Sequence, residues 1–62
     1  MQLFIVRFDS GEYACNVRIG TNYIRYDRTT DKTAASRLEP FDSQLFLKRL
    51  KSEGVKAERE EA

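Results

Sequence analysis

Apolar and polar residues alternate with a period of two along the first half of the chain and change to helical spacing after Pro40. From Gln2 to Phe8 the residues Gln2, Phe4, Val6 and Phe8 share one face and Leu3, Ile5 and Arg7 the other. Both faces are largely apolar, which suits an interior strand covered on both sides, or one covered by the helix on one face and by a partner on the other. Asp9-Ser10-Gly11-Glu12 supplies a turn, and Tyr13 to Ile19 returns as a second strand. Its alternation places Tyr13, Cys15, Val17 and Ile19 inward, and Ala14, Asn16 and Arg18 outward. Gly20-Thr21-Asn22 marks a second turn before a short third strand, Tyr23 to Asp27. Either Tyr23 and Arg25 or Ile24 and Tyr26 face the core, the second being favoured because Ile24 has no polar reason to be outside. Thr33 to Leu38 offers a short edge strand before Pro40, since a residue preceding proline is pushed toward extended backbone.

The only helical pattern runs from about Phe41 to Glu53. At roughly 100° per residue, Ser43, Phe46, Leu47 and Leu50 gather on one side, with Phe41 and Leu45 nearly opposite. Two N-termini are open. Glu39 caps with Pro40 in the first turn, or Asp42 caps; the second is supported by the spacing of Phe41 and Phe46, which suits a hydrophobic staple. Gly54 fits the left-handed residue that stops a helix, with Val55 folding back on Leu50. Val55 to Arg59 then forms a last strand with Val55 and Ala57 inward, and Glu60, Glu61 and Ala62 fray. The expected fold is a single α+β domain over residues 1–62. It has a small antiparallel sheet of three to five strands, a β-meander in ββ(β)αβ order, with one amphipathic helix on one face.

Sixty-two residues make one small domain with little room for a substrate cleft. With 40% hydrophobic and 34% charged residues and no long apolar run, the composition is that of a soluble protein. The start of the chain lacks signal-peptide character and its one cysteine has no partner for a disulfide, so a cytoplasmic protein is expected. A net charge of +1 argues against both a DNA mimic and a strongly basic nucleic-acid binder. The charge is uneven: residues 1–17 carry −1 (Arg7 against Asp9 and Glu12). Residues 18–38 carry +3 (five basic, two acidic) and residues 39–62 carry −1 (five basic, six acidic).

Catalytic chemistry lacks its usual players. There is no histidine, no phosphate-binding glycine loop, and no Ser or Cys with an evident base, so no enzymatic role, cofactor or metal is expected. Cys15 at an alternating strand position reads as a structural thiol. Asp9, Asp27 and Asp31 lack the spacing and the closing glutamate of a calcium loop. Two binding surfaces are candidates. Leu3, Ile5, Phe41 and Leu45 are apolar positions that one core does not absorb, and they form a candidate protein interface, with self-association included. Tyr23, Arg25 and Arg28 combine ring and guanidinium groups suited to stacking bases and contacting phosphates, the alternative reading. Solvated arginines paired with Asp27 or Asp31 are the plainer account of that segment.

The segment Phe4-Ile5-Val6-Arg7-Phe8-Asp9-Ser10-Gly11-Glu12-Tyr13, the step Ala35-Ser36-Arg37-Leu38 and the helix end Leu50-Lys51-Ser52-Glu53-Gly54 follow one plan over nearly the whole chain. In that plan the chain resembles small phage and prophage proteins of unknown function. Leu38 stands where those proteins carry an aromatic residue, Ser43 stands where alanine is usual, and no tryptophan marks the middle. The resemblance implies a mobile-element origin and supplies no site residues. It fits an accessory protein that binds a host factor or a defence component.

Overall fold

The computed structural model describes residues 2–62. Strands β1 (Phe4–Phe8), β2 (Tyr13–Ile19) and β3 (Ile24–Thr29) are followed by a 3-10 turn (Lys32–Ala34), helix α1 (Pro40–Ser52) and strand β4 (Ala57–Glu61). The four strands form one antiparallel sheet in the order β3-β2-β1-β4. This is the α+β class read from the pattern: a meander of three strands extended when α1 carries the chain across and lays β4 beside β1.

The first hairpin closes through a three-residue loop in which the Gly11 amide donates to the Phe8 carbonyl (2.9 Å) and the Phe8 amide to that of Glu12 (2.7 Å). Gly11 has φ +93°, the left-handed residue that a three-residue hairpin loop requires. The second strand departs from simple alternation. Between the pairs Cys15↔Asp27 and Arg18↔Arg25, two residues of β2, Asn16 and Val17, stand opposite the single Tyr26. This is a β-bulge, and Asn16 takes φ +51°, a conformation asparagine tolerates better than most side chains. The bulge corrects the predicted facing. Ala14 joins the buried cluster under the helix, Val17 and Ile19 pack against it, and Cys15 is buried outside it. In β3, Ile24 and Tyr26 face the helix as favoured.

Val6, Phe8, Ala14, Phe46 and Leu50 form the helix-side core. Phe8, Tyr26 and Phe46 stack in series at centroid distances of 5.4 Å, the second contact edge-on. Burying side chains of this size contributes about 1.5–3 kcal/mol each. Arg49 fastens α1 to the far hairpin by donating to the carbonyls of Gly20, Thr21 and Tyr23, each at 2.7 Å.

The helix starts at Pro40 with Glu39 as N-cap, without a side-chain capping bond. The Asp42 cap and its Phe41–Phe46 staple do not form. Once both residues are helical, five positions turn them about 140° apart, so Phe46 enters the core while Phe41 stays 74% exposed. Ser43, fully buried, donates to the Pro40 carbonyl (2.8 Å) and accepts from Arg59 (3.0 Å). The C-terminus is the predicted stop. Gly54 has φ +80°, its amide donates to the Lys51 carbonyl (3.0 Å), and that of Val55 donates to Leu50 (2.9 Å).

The second face of β1 is covered by the chain itself. Thr33 to Leu38 is not an edge strand. The 3-10 turn is capped by Asp31, whose Oδ1 accepts from the Thr33 amide (3.0 Å) and hydroxyl (2.7 Å). The chain then enters the fork where β1 and β2 diverge. The Ser36 amide donates to the Ala14 carbonyl (3.0 Å), the Ser36 hydroxyl accepts from the Val17 amide (3.1 Å), and Leu38 bridges to Phe4. The chain end is not frayed. Glu60 and Glu61 pair with Ile5 and Phe4, and the Ala62 amide donates to the Leu3 carbonyl (2.9 Å).

Candidate functional site

The four apolar interface candidates do not share one surface. Ile5 is 3% exposed and lines a small cavity of about 250 Å³ with Lys32, Thr33, Arg37 and Ala62. It is therefore withdrawn from any interface: the strap of residues 30–38, and not a partner, covers the second apolar face of β1. Leu3 is half-buried in a depression beside Gln2, Arg37 and Ala62. Phe41 and Leu45 lie one turn apart on α1, away from the side that buries Phe46 and Leu50; Leu45 is half-buried and Phe41 projects into solvent.

The three nucleic-acid candidates divide between the two faces of the sheet. Tyr23 is half-exposed with the Arg25 guanidinium 5.7 Å from its ring centroid. Arg28 points the other way, 4.0 Å over the Phe8 ring and 3.8 Å from Glu12. It is a lid on the core and not a companion of Arg25. Arg18, not among the candidates, takes that place, because the register sets Arg18 directly opposite Arg25 on the exposed face. Two like charges across a strand pair disfavour each other. Their juxtaposition depends on the bulge.

On the strap side of the sheet the charges are matched. Arg7 lies between Glu58 and Glu60, donating to Glu58 and standing 2.7 Å from Glu60 Oε1, and Lys32 reaches Glu60 at 3.6 Å. The hydrogen bond and charge of Glu58, with the charge of Glu60, raise the Arg7 pKa. The bonds from Thr33 lower that of Asp31. Among the described residues no three His, Cys, Asp or Glu side chains gather to hold a metal ion. Nor, among those residues, is any helix long and apolar enough to cross a membrane.

A surface that the sequence did not single out lies between α1 and β4. Gln44, Leu47, Lys48 and Lys51 from the helix, with Val55, Lys56 and Ala57 from the chain after it, line a groove of about 540 Å³. Gly54 creates this groove by reversing the chain, which brings Val55 back beside the helix. The signal was present as Lys48 and Lys51 flanking Leu47 at helical spacing, but the position of Lys56 depends on the turn. The chain matches no protein-family model, and neither a curated protein nor a solved structure is significantly similar to it.

Proposed function

We propose that this protein is a non-enzymatic binding module that engages a protein partner through the surface of α1, in the manner of a small phage-type accessory protein. The observation that carries this reading is Phe41, a large aromatic side chain 74% exposed on a helix whose opposite side is anchored in the core by Phe46 and Leu50. An aromatic side chain on a rigid element is the kind of group that anchors interfaces. The phage-type setting, a host factor or defence component as the partner, and a cytoplasmic location belong to the same proposal and rest on the sequence pattern and the single Cys15.

The test is affinity capture from a bacterial lysate with the wild-type chain and Phe41→Ser. A partner retained by the first and lost by the second is expected; a monomer that retains nothing removes the reading. Self-association through the same surface is its homo-oligomeric form, and Leu45→Glu should then lower the sedimentation coefficient.

A second reading, nucleic-acid contact, has one observation in its favour: the cross-strand couple Arg18 and Arg25, which faces solvent beside the half-exposed Tyr23. It requires oligonucleotide binding that weakens with salt and is lost in Arg18→Ala/Arg25→Ala. Binding that ignores salt, or none near physiological conditions, eliminates it.

A further inference from the structure

We propose that the groove between α1 and β4 is a docking site for an acidic amphipathic segment of a protein partner. This deepens the protein-binding reading and rests on it.

The inference comes from how the cations of this half of the chain are used. Arg49 is committed to the Gly20–Tyr23 turn, and Arg59 donates to Ser43 while lying 4.2 Å over the Phe4 ring. The ion pairs among the described residues use Arg7, Arg28 and Lys32. Lys48, Lys51 and Lys56 appear in none of them, and all three line the same groove, which has no acidic residue in its wall. The helix dipole accounts for Lys51, which lies in the last turn. It does not account for Lys56, beyond the helix, nor for the convergence of all three.

Between the lysines the floor is apolar. Leu47, Val55 and Ala57 are each half-buried, packing against the core with one side and facing the groove with the other. An occupant must therefore supply carboxylates at the rim and an apolar side chain at the centre. A helix presenting both types at successive turns does this, as in other helix-in-groove complexes. Phosphate chains match the site less well: proteins that hold nucleic acid by its backbone make roughly 6–10 phosphate contacts, and an apolar floor gives such a chain nothing.

The test uses the full chain and three labelled peptides of about 16 residues, long enough to hold helical structure. One carries leucine at every turn, glutamate at the positions flanking it and alanine elsewhere; in the second serine replaces leucine; in the third lysine replaces glutamate. Fluorescence anisotropy should show the first binding at least about tenfold more tightly than either control, a difference of about 1.4 kcal/mol. Lys48→Glu/Lys51→Glu/Lys56→Glu should abolish that binding and transfer preference to the lysine peptide, with an unchanged circular dichroism spectrum. Equal binding of the leucine and serine peptides overturns the proposal, as does failure of the charge swap. So does lysine-dependent binding of phosphatidylserine vesicles or single-stranded oligonucleotides in place of the first peptide. If that peptide fails while a Phe41-dependent partner is still captured, only the groove assignment falls. If both fail, the protein-binding reading falls with it.

Discussion

Replacing Arg49 with methionine keeps the aliphatic stem but removes the guanidinium that joins α1 to the Gly20–Tyr23 turn. Three hydrogen bonds of 2.7 Å are lost, and they are not equivalent. The bond to Gly20 is partly buried, so its loss leaves a carbonyl that water reaches poorly; a bond of this kind to a charged donor contributes about 1.5–3 kcal/mol. The bonds to Thr21 and Tyr23 are exposed, water replaces the donor, and about 0.5 kcal/mol each is reasonable. The sum is roughly 2.5–4 kcal/mol. A domain of this size has a total stability of roughly 3–9 kcal/mol, so the variant should be close to unfolding. Urea and thermal denaturation followed by far-UV circular dichroism should show the midpoint falling by roughly 10–30 °C. Arg49→Lys, which retains the charge but not the planar fork, should recover less than half of the loss. A loss below about 0.5 kcal/mol for Arg49→Met would refute the reasoning and leave the helix held by Phe46 and Leu50 alone.

Three further outcomes can be checked. Gly54→Ala places a side chain at φ +80° where the added carbon meets nothing, so the cost is purely conformational, about 1–2 kcal/mol by urea denaturation; no change would mean that the turn relaxes. Ile5→Ala should cost about 2–5 kcal/mol by urea denaturation, because the strap loses its apolar seat; an effect under 1 kcal/mol would show that the second face carries little load. Asp31 has a lowered pKa in the fold, so its capping contribution is present above the unfolded value and lost as pH falls through the folded one. An NMR titration should place its midpoint below 3.8, with Thr33 amide exchange accelerating over the same range; a midpoint at or above 3.8 contradicts the cap.

The elements with strong local signals were legible. Gly11 and Gly54 each took the left-handed conformation for which glycine was read, and the periods of two and about 3.6 separated strands from helix. What escaped was decided at a distance. The facing of β2 was right for Val17 and Ile19 but exchanged at Ala14 and Cys15, because Asn16 and Val17 share one partner, and nothing local announces a bulge at an asparagine. The staple between Phe41 and Phe46 suited the spacing, yet one added turn at Pro40 separated them. Ile5 and Leu3 were read as surplus to a single core because the polar composition of residues 28–37 gave no hint that this stretch would cross the sheet and bury Ala35. The groove was invisible for a related reason: its floor combines Leu47 with Val55 and Ala57, residues joined only by the geometry of the Gly54 stop.

The most direct test of the groove between α1 and β4 as a docking site is a two-dimensional ¹H–¹⁵N NMR titration of the wild-type chain with the leucine–glutamate peptide. The amides of Leu47, Lys48, Lys51, Val55, Lys56 and Ala57 should shift together with peptide concentration, while those of Arg18 and Arg25 stay in place. Shifts confined to the β2–β3 hairpin, or a spectrum that does not change, would contradict it.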